Sequence, residues 1–117
     1  MKKKIPRLYT GPDGKSRFED IELQLECKLV IGGKSISVEP AGVTIIENDG
    51  HDLDWHSAKH RRFSIVVEGD CEIEAGDGTK RRFRPGDILL VDDTTGQGHY
   101  TRTVDGQRRK GIFVSID

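Results

Sequence analysis

Long apolar runs are missing from this chain of 117 residues, and so is any apolar stripe at helical spacing. The first absence argues against a membrane-spanning segment, which needs about 20 consecutive apolar residues. The second, together with scarce alanine, argues against a helical bundle. Net charge is equally short: 19 Lys and Arg against 20 Asp and Glu leave −1, so no global basic field is available to hold nucleic acid. The basic clusters KHRR, TKRRFR and RRK are interleaved with acids and read as solvated faces. Only two cysteines occur, Cys27 in LQLECKLV and Cys71 in CEIEA. They have no metal-ligand spacing and read as buried reduced thiols rather than a disulfide. No apolar core follows the basic start MKKKIPR, so a secretory leader is not expected and the cytoplasm is the expected location. No serine or cysteine stands in a pattern that specifies a nucleophile.

What the chain does have is turns. Fourteen glycines, several in Asp-Gly pairs, punctuate short runs of β-branched and alternating residues. The first twenty residues are polar and turn-rich, with GPDG as a turn, and read as an N-terminal arm, loosely ordered or paired with a partner subunit. From residue 21 onward the strand signals follow closely. IELQLECKLV alternates with Ile21, Leu23, Leu25 and Cys27 on one face; SISVEP and GVTIIEN follow; RFSIVVEG and CEIEA read as a hairpin turning at Gly69-Asp70. ILLV is wholly apolar, and HYTRTV and GIFVSI close the chain. Some nine or ten strands without a helix predict an all-β sandwich or barrel, residues 21–117 forming one domain.

The stretch GHDLDWHSAKHRRFSIVVEG carries the most information. Gly50 is followed by five residues and His56; Ala58 stands two further on; Arg62 comes after three more residues, and Gly69 after another six. That frame resembles the first motif of the cupins, in which glycine, His-X-His, glutamate and glycine recur at this spacing. RPGDILLVDDTTGQGH resembles the second motif, with its Pro-Gly-Asp turn at Pro85, Gly86 and Asp87 and its histidine at His99. The loop DDTTGQG is two residues longer than the family pattern. WHxAxxRR and DDTTGxGH also look like signatures of a little-characterised bacterial cupin subgroup. The resemblance implies a small double-stranded β-helix, the cupin jelly-roll barrel, and a homodimer.

Cupins usually hold a divalent metal inside the barrel on three histidines and a glutamate. Here Ala58 and Arg62 stand in two of those four slots. A guanidinium cannot ligate, and at ~4 Å and an effective dielectric of ~20 it opposes a cation by on the order of 4 kcal/mol per unit charge. A site for iron, manganese, nickel or zinc would then rest on His56, His60 and His99, and only a bend before Arg62 would bring His60 near His56. No cofactor is favoured. The other reading is a pocket for a small anionic metabolite. Residues 56, 58, 62, 64 and 66 share parity, as do 99, 101 and 103, so His56, Ala58, Arg62, Ser64, His99, Thr101 and Thr103 would face the interior. Arg62 offers a planar fork for a carboxylate or phosphate, and His56 and His99 are the candidate acid and base. Trp55 would line the pocket mouth or pack in the core. Arg62 would alternatively pair with Asp54 or Asp93, and Asp92-Asp93 would cap a loop or supply a base. An enzyme and a non-catalytic binding protein both remain open, since one barrel hosts many chemistries.

Overall fold

The computed structural model describes residues 2–24 and 28–116 and contains no helix there. Twelve strands form: β1 (Lys2–Thr10), β2 (Ser16–Gln24), β3 (Lys28–Ile31), β4 (Lys34–Ser37), β5 (Pro40–Asn48), β6 (Leu53–His56), β7 (Arg62–Glu68), β8 (Cys71–Glu74), β9 (Lys80–Phe83), β10 (Ile88–Asp92), β11 (His99–Thr103) and β12 (Arg109–Ile116). They make an eight-stranded sheet in the order β4-β3-β2-β1-β10-β7-β12-β5 and a four-stranded sheet in the order β6-β11-β8-β9. The two sheets face each other as an all-β jelly-roll, as expected from the turn-punctuated strand pattern.

Two apolar clusters flank the large sheet. Leu8, Leu89 and Val91 join Ile73 and Phe83 of the small sheet, and Ala75 just past β8, in the space between the sheets. Ile5, Ile21, Leu29, Val38, Leu90 and Ile116 form a second cluster on the opposite face. Strand β10 serves both, Leu89 and Val91 to one side and Leu90 to the other, which is why ILLV carries no polar residue.

Three sequence expectations need correction. Residues 1–20 are not a loose arm: β1 and β2 pair in register from Lys2↔Gln24 to Thr10↔Ser16, and β1 runs parallel to β10 in the large sheet. Leu8 and Ile5, almost wholly buried on opposite faces, secure it, a pattern hidden by the surrounding lysines and Pro6. IELQLECKLV is not one strand but parts of β2 and β3, paired antiparallel through Glu22↔Val30 and Gln24↔Lys28. Leu25 and Cys27 lie outside the described residues, so the thiol reading concerns Cys71 alone, which is free and buried. Gly69-Asp70 does not close a hairpin: β7 pairs with β10 and β12, β8 with β9 and β11, and the turn carries the chain from one sheet to the other. Gly69 has φ +77°, and a side chain there would strike the Arg108 carbonyl. Among the described residues no helix is long and apolar enough to cross a membrane.

Candidate functional site

A cavity of about 320 Å³ opens between the sheets. Most of its wall comes from alternate residues of facing strands: His56 from β6, Arg62, Ser64 and Val66 from β7, His99 and Thr101 from β11, and Arg109, Gly111 and Phe113 from β12; Ile65, Lys110 and residues 46–48 also line it. The two-residue period of a strand therefore delivers the interior parity read from the sequence for 56, 62, 64, 66, 99 and 101. It does not deliver all of it. Ala58 is packed into the apolar cluster and does not line the cavity, because its N–H is drawn to the Asp93 carbonyl at 3.0 Å. Thr103 turns to Asp52 and Gln107 instead. Trp55 is not at the mouth: one residue before inward-facing His56, it points the other way and packs against Tyr100, ring centroids 6.0 Å apart.

His56 and His99 are register partners on neighbouring strands, with ring centroids 4.6 Å apart. Gly98, φ +79°, permits this approach, since a side chain there would collide with the His56–Ser57 peptide. The DDTTGQG loop that precedes His99 is held by the β1–β2 hairpin. Thr10 Oγ1 donates to the Thr95 carbonyl at 2.9 Å, the Gln97 N–H to the Gly14 carbonyl at 3.2 Å, and Ser16 Oγ to the Gly98 carbonyl at 2.7 Å. The segment read as an arm thus positions a site histidine.

The two adjacent aspartates have opposite roles. Asp92 faces away from the interior and accepts from Arg7 Nη2 at 2.7 Å and Arg61 Nε at 3.0 Å. Asp93 continues the inward parity of Leu89 and Val91, is fully buried, and binds His99 Nδ1 through Oδ2 at 2.5 Å. Neither aspartate is simply a loop cap, and Asp93 is the residue that orients His99. With a carboxylate on His99 Nδ1, and the Asp54 carbonyl on His56 Nδ1 at 2.7 Å, each neutral ring carries its proton on Nδ1 and a lone pair on Nε2.

Arg62 lies on the ring of Phe113, guanidinium carbon 3.9 Å from the centroid. Stacking covers one face of the plane and leaves the N–H edge for an acceptor. Its Nε is buried without any hydrogen-bond partner. Burial lowers the guanidinium from its ordinary value, with the nearby Asp93 carboxylate acting the other way, and an arginine remains charged regardless. The alternative pairings do not form: Asp54 is exposed and accepts from the Trp55 N–H, and Asp93 is bound to His99. Sequence reasoning offered Asp93 as an interior partner for Arg62 or as a base, not as the acid that orients His99, and it missed Arg109 as a second cavity guanidinium. Parity held both signals, Asp93 with Leu89 and Val91, Arg109 with Gly111 and Phe113.

The donor set does not fit the metal that the cupin fold implies. His60 is exposed on the bend before β7 and does not line the cavity, so the expected His56, His60 and His99 set is not brought together. Among the described residues no group of three or more His, Cys, Asp or Glu side chains is arranged to hold a metal ion, and Arg62 occupies the cavity wall.

No family model matches the chain, and no curated protein matches it in sequence. Solved structures do. A Neisseria meningitidis protein superposes with TM-score 0.54 and 19% identity over 69% of this chain and 84% of its own. A conserved Streptococcus pyogenes protein of unknown function gives 0.52 and 16% over 77% and 70%. A Salmonella typhimurium protein provisionally named ethanolamine utilization protein Q gives 0.51 and 10% over 98% and 96%. At such identities the likeness concerns the fold, a cupin-like jelly-roll.

Proposed function

We propose that this chain is a cupin of the WHxAxxRR and DDTTGxGH type that binds a small anionic metabolite between its sheets. One observation carries the reading: Arg62, stacked on Phe113 in the cavity wall, has a buried Nε–H and no acceptor. Burying an N–H donor without an acceptor is costly, so a bound carboxylate or phosphate would offset a penalty already present in the fold. Ser64 and Thr101 add hydroxyls beside it. Calorimetric titration with a panel of carboxylates and sugar phosphates tests this. Arg62→Gln should weaken every hit by ~10-fold or more, the value of a charge-assisted hydrogen bond; hits that bind the variant unchanged would refute it.

The Asp93–His99 bond favours a catalytic form of the same reading. A carboxylate that fixes the Nδ1 tautomer leaves His99 Nε2 as a proton acceptor beside His56, the arrangement an isomerase, epimerase or lyase needs to move a proton on a bound acid. Turnover of a hit that stops in His99→Gln separates this from simple binding.

A second copy of the chain is the proposed partner. Among the described residues strand β5 ends the large sheet with one edge unpaired, and Val43, Ile45 and Val67 are 65%, 77% and 50% exposed. An apolar edge of this kind pairs or aggregates unless it is covered.

A further inference from the structure

The cavity has a second cationic end that the reading above leaves unused. Arg109 is 9% exposed, lines the cavity, and donates Nη2 to the His51 carbonyl at 3.1 Å, while its buried Nη1 meets no acceptor. Among the described residues no carboxylate forms an ion pair with it. Glu47, also in the wall, faces Arg108 at 3.5 Å and Lys110 at 3.8 Å. Asp70, next to Cys71, is held by Arg82 at 2.6 Å. Among the described residues the guanidinium is therefore buried, half-satisfied and in no ion pair.

Its place is defined by the strand register. Arg62 pairs with Ser115 near the end of β12, whereas Arg109 begins that strand opposite Asn48. Six residues at ~3.3 Å each put the two positions ~20 Å apart along the strand, before the side chains reach inward. The Arg62 end also holds His56, His99 and Asp93; the Arg109 end holds Cys71. Between them the wall is mostly apolar, with Val66, Ile73, Leu89 and Phe113.

We infer that the cavity takes an elongated dianion, two carboxylate-class groups joined by an apolar spacer, one anchored by Arg62 and the other by Arg109. This rests on the anion-binding reading and adds the second anchor. Two unpaired donors at opposite ends reward a ligand that satisfies both at once, and the apolar wall between them rewards methylenes rather than hydroxyls. Arg109 thus selects among anions that Arg62 alone would not distinguish.

The test is a calorimetric series of straight-chain diacids from succinate to sebacate, each against the monoacid of equal length, on wild type, Arg62→Gln and Arg109→Gln. The expected result is one preferred chain length whose diacid binds ~10-fold or more tighter than its monoacid. Arg109→Gln should reduce that diacid to the monoacid's affinity while leaving the monoacid unchanged. Ligand-free Arg109→Gln should melt no lower than wild type, because it removes an unpaired buried charge. Cys71, beside Arg109, supplies a readout needing no variant: the preferred diacid should slow its alkylation, mapped by peptide mass, and the monoacid should not. Monoacids and diacids of equal affinity at every length, still dependent on Arg62, would overturn the second anchor and leave the anion reading standing. Failure of every acid, with a sugar phosphate still binding through Arg62, would overturn the dianion alone; failure of both ligand classes would overturn the anion reading as well.

Discussion

The two faces of the large sheet are built by opposite rules. On one, Ile5, Ile21, Leu29, Val38, Leu90 and Ile116 close into an apolar cluster, and the charges on that side, Asp92 with Arg7 and Arg61, are paired with one another. On the other, the sheet borders a cavity with two guanidiniums and two imidazoles, the buried Asp93 carboxylate is bound to one of those imidazoles, and atoms of Arg62, Asp93 and Arg109 lack a hydrogen-bond partner. Burying polar groups unsatisfied costs about 1–3 kcal/mol each. A sheet that is well packed behind can carry that cost in front, which is how a binding face is held in a marginally stable domain. The difference teaches that stability and recognition are separated by strand parity, one residue apart along β7, β10 and β12.

The comparison breaks most sharply at Leu90. It is fully buried in the apolar cluster, and Leu90→Ala should cost about 2–5 kcal/mol in chemical denaturation, a large share of a small domain's stability. Anion affinity, measured below the denaturation midpoint, should not change, because the side chain faces away from the cavity. A loss of both would mean that the two faces are not independent.

Asp93→Asn probes the other face. The fully buried carboxylate holds His99 Nδ1, and replacing it should cost about 1.5–3 kcal/mol, the worth of a hydrogen bond to a charged group. Affinity for an anion should rise at the same time, since the substitution removes the negative charge nearest Arg62. Stability and binding moving in opposite directions would mark the residue as a compromise between them. If both fall together, Asp93 acts through the geometry of His99 rather than through the cavity's field.

The apolar face was the more legible in the sequence. ILLV announces a strand buried on both sides, and Asp-Gly and Pro-Gly-Asp pairs mark where strands end. The hidden parts have physical reasons. The first strand reads as polar because, among residues 3–10, only Ile5 and Leu8 are buried, on opposite faces, so no alternation appears. Gly69-Asp70 has hairpin chemistry but joins different sheets, a choice made by long-range pairing rather than local conformation. On the cavity face the histidines and Arg62 stood out through the cupin-like spacing. Asp93 was masked by Asp92, whose partners Arg7 and Arg61 lie far from it in sequence, and Arg109 by the basic run around it. A polar residue that continues the inward parity of an apolar strand is the signal both shared.

The smallest change in stability is expected where the apolar outer surface runs out. The β1–β4 half of that face is closed by its own strands, but at β5 and β7 Val43, Ile45 and Val67 meet solvent. Because Ile45 is 77% exposed in the single chain, Ile45→Lys should move its unfolding free energy by no more than about 0.5 kcal/mol. In a dimer it would bury a lysine beside an unpaired strand edge, and a charge there blocks edge-to-edge association. Light scattering should therefore find a dimer for wild type and a monomer for the variant, with anion affinity intact in both. A wild type that is monomeric at every concentration, or a variant that remains dimeric, would show that β5 is not the contact, and the apolar surface at the sheet edge would need another occupant.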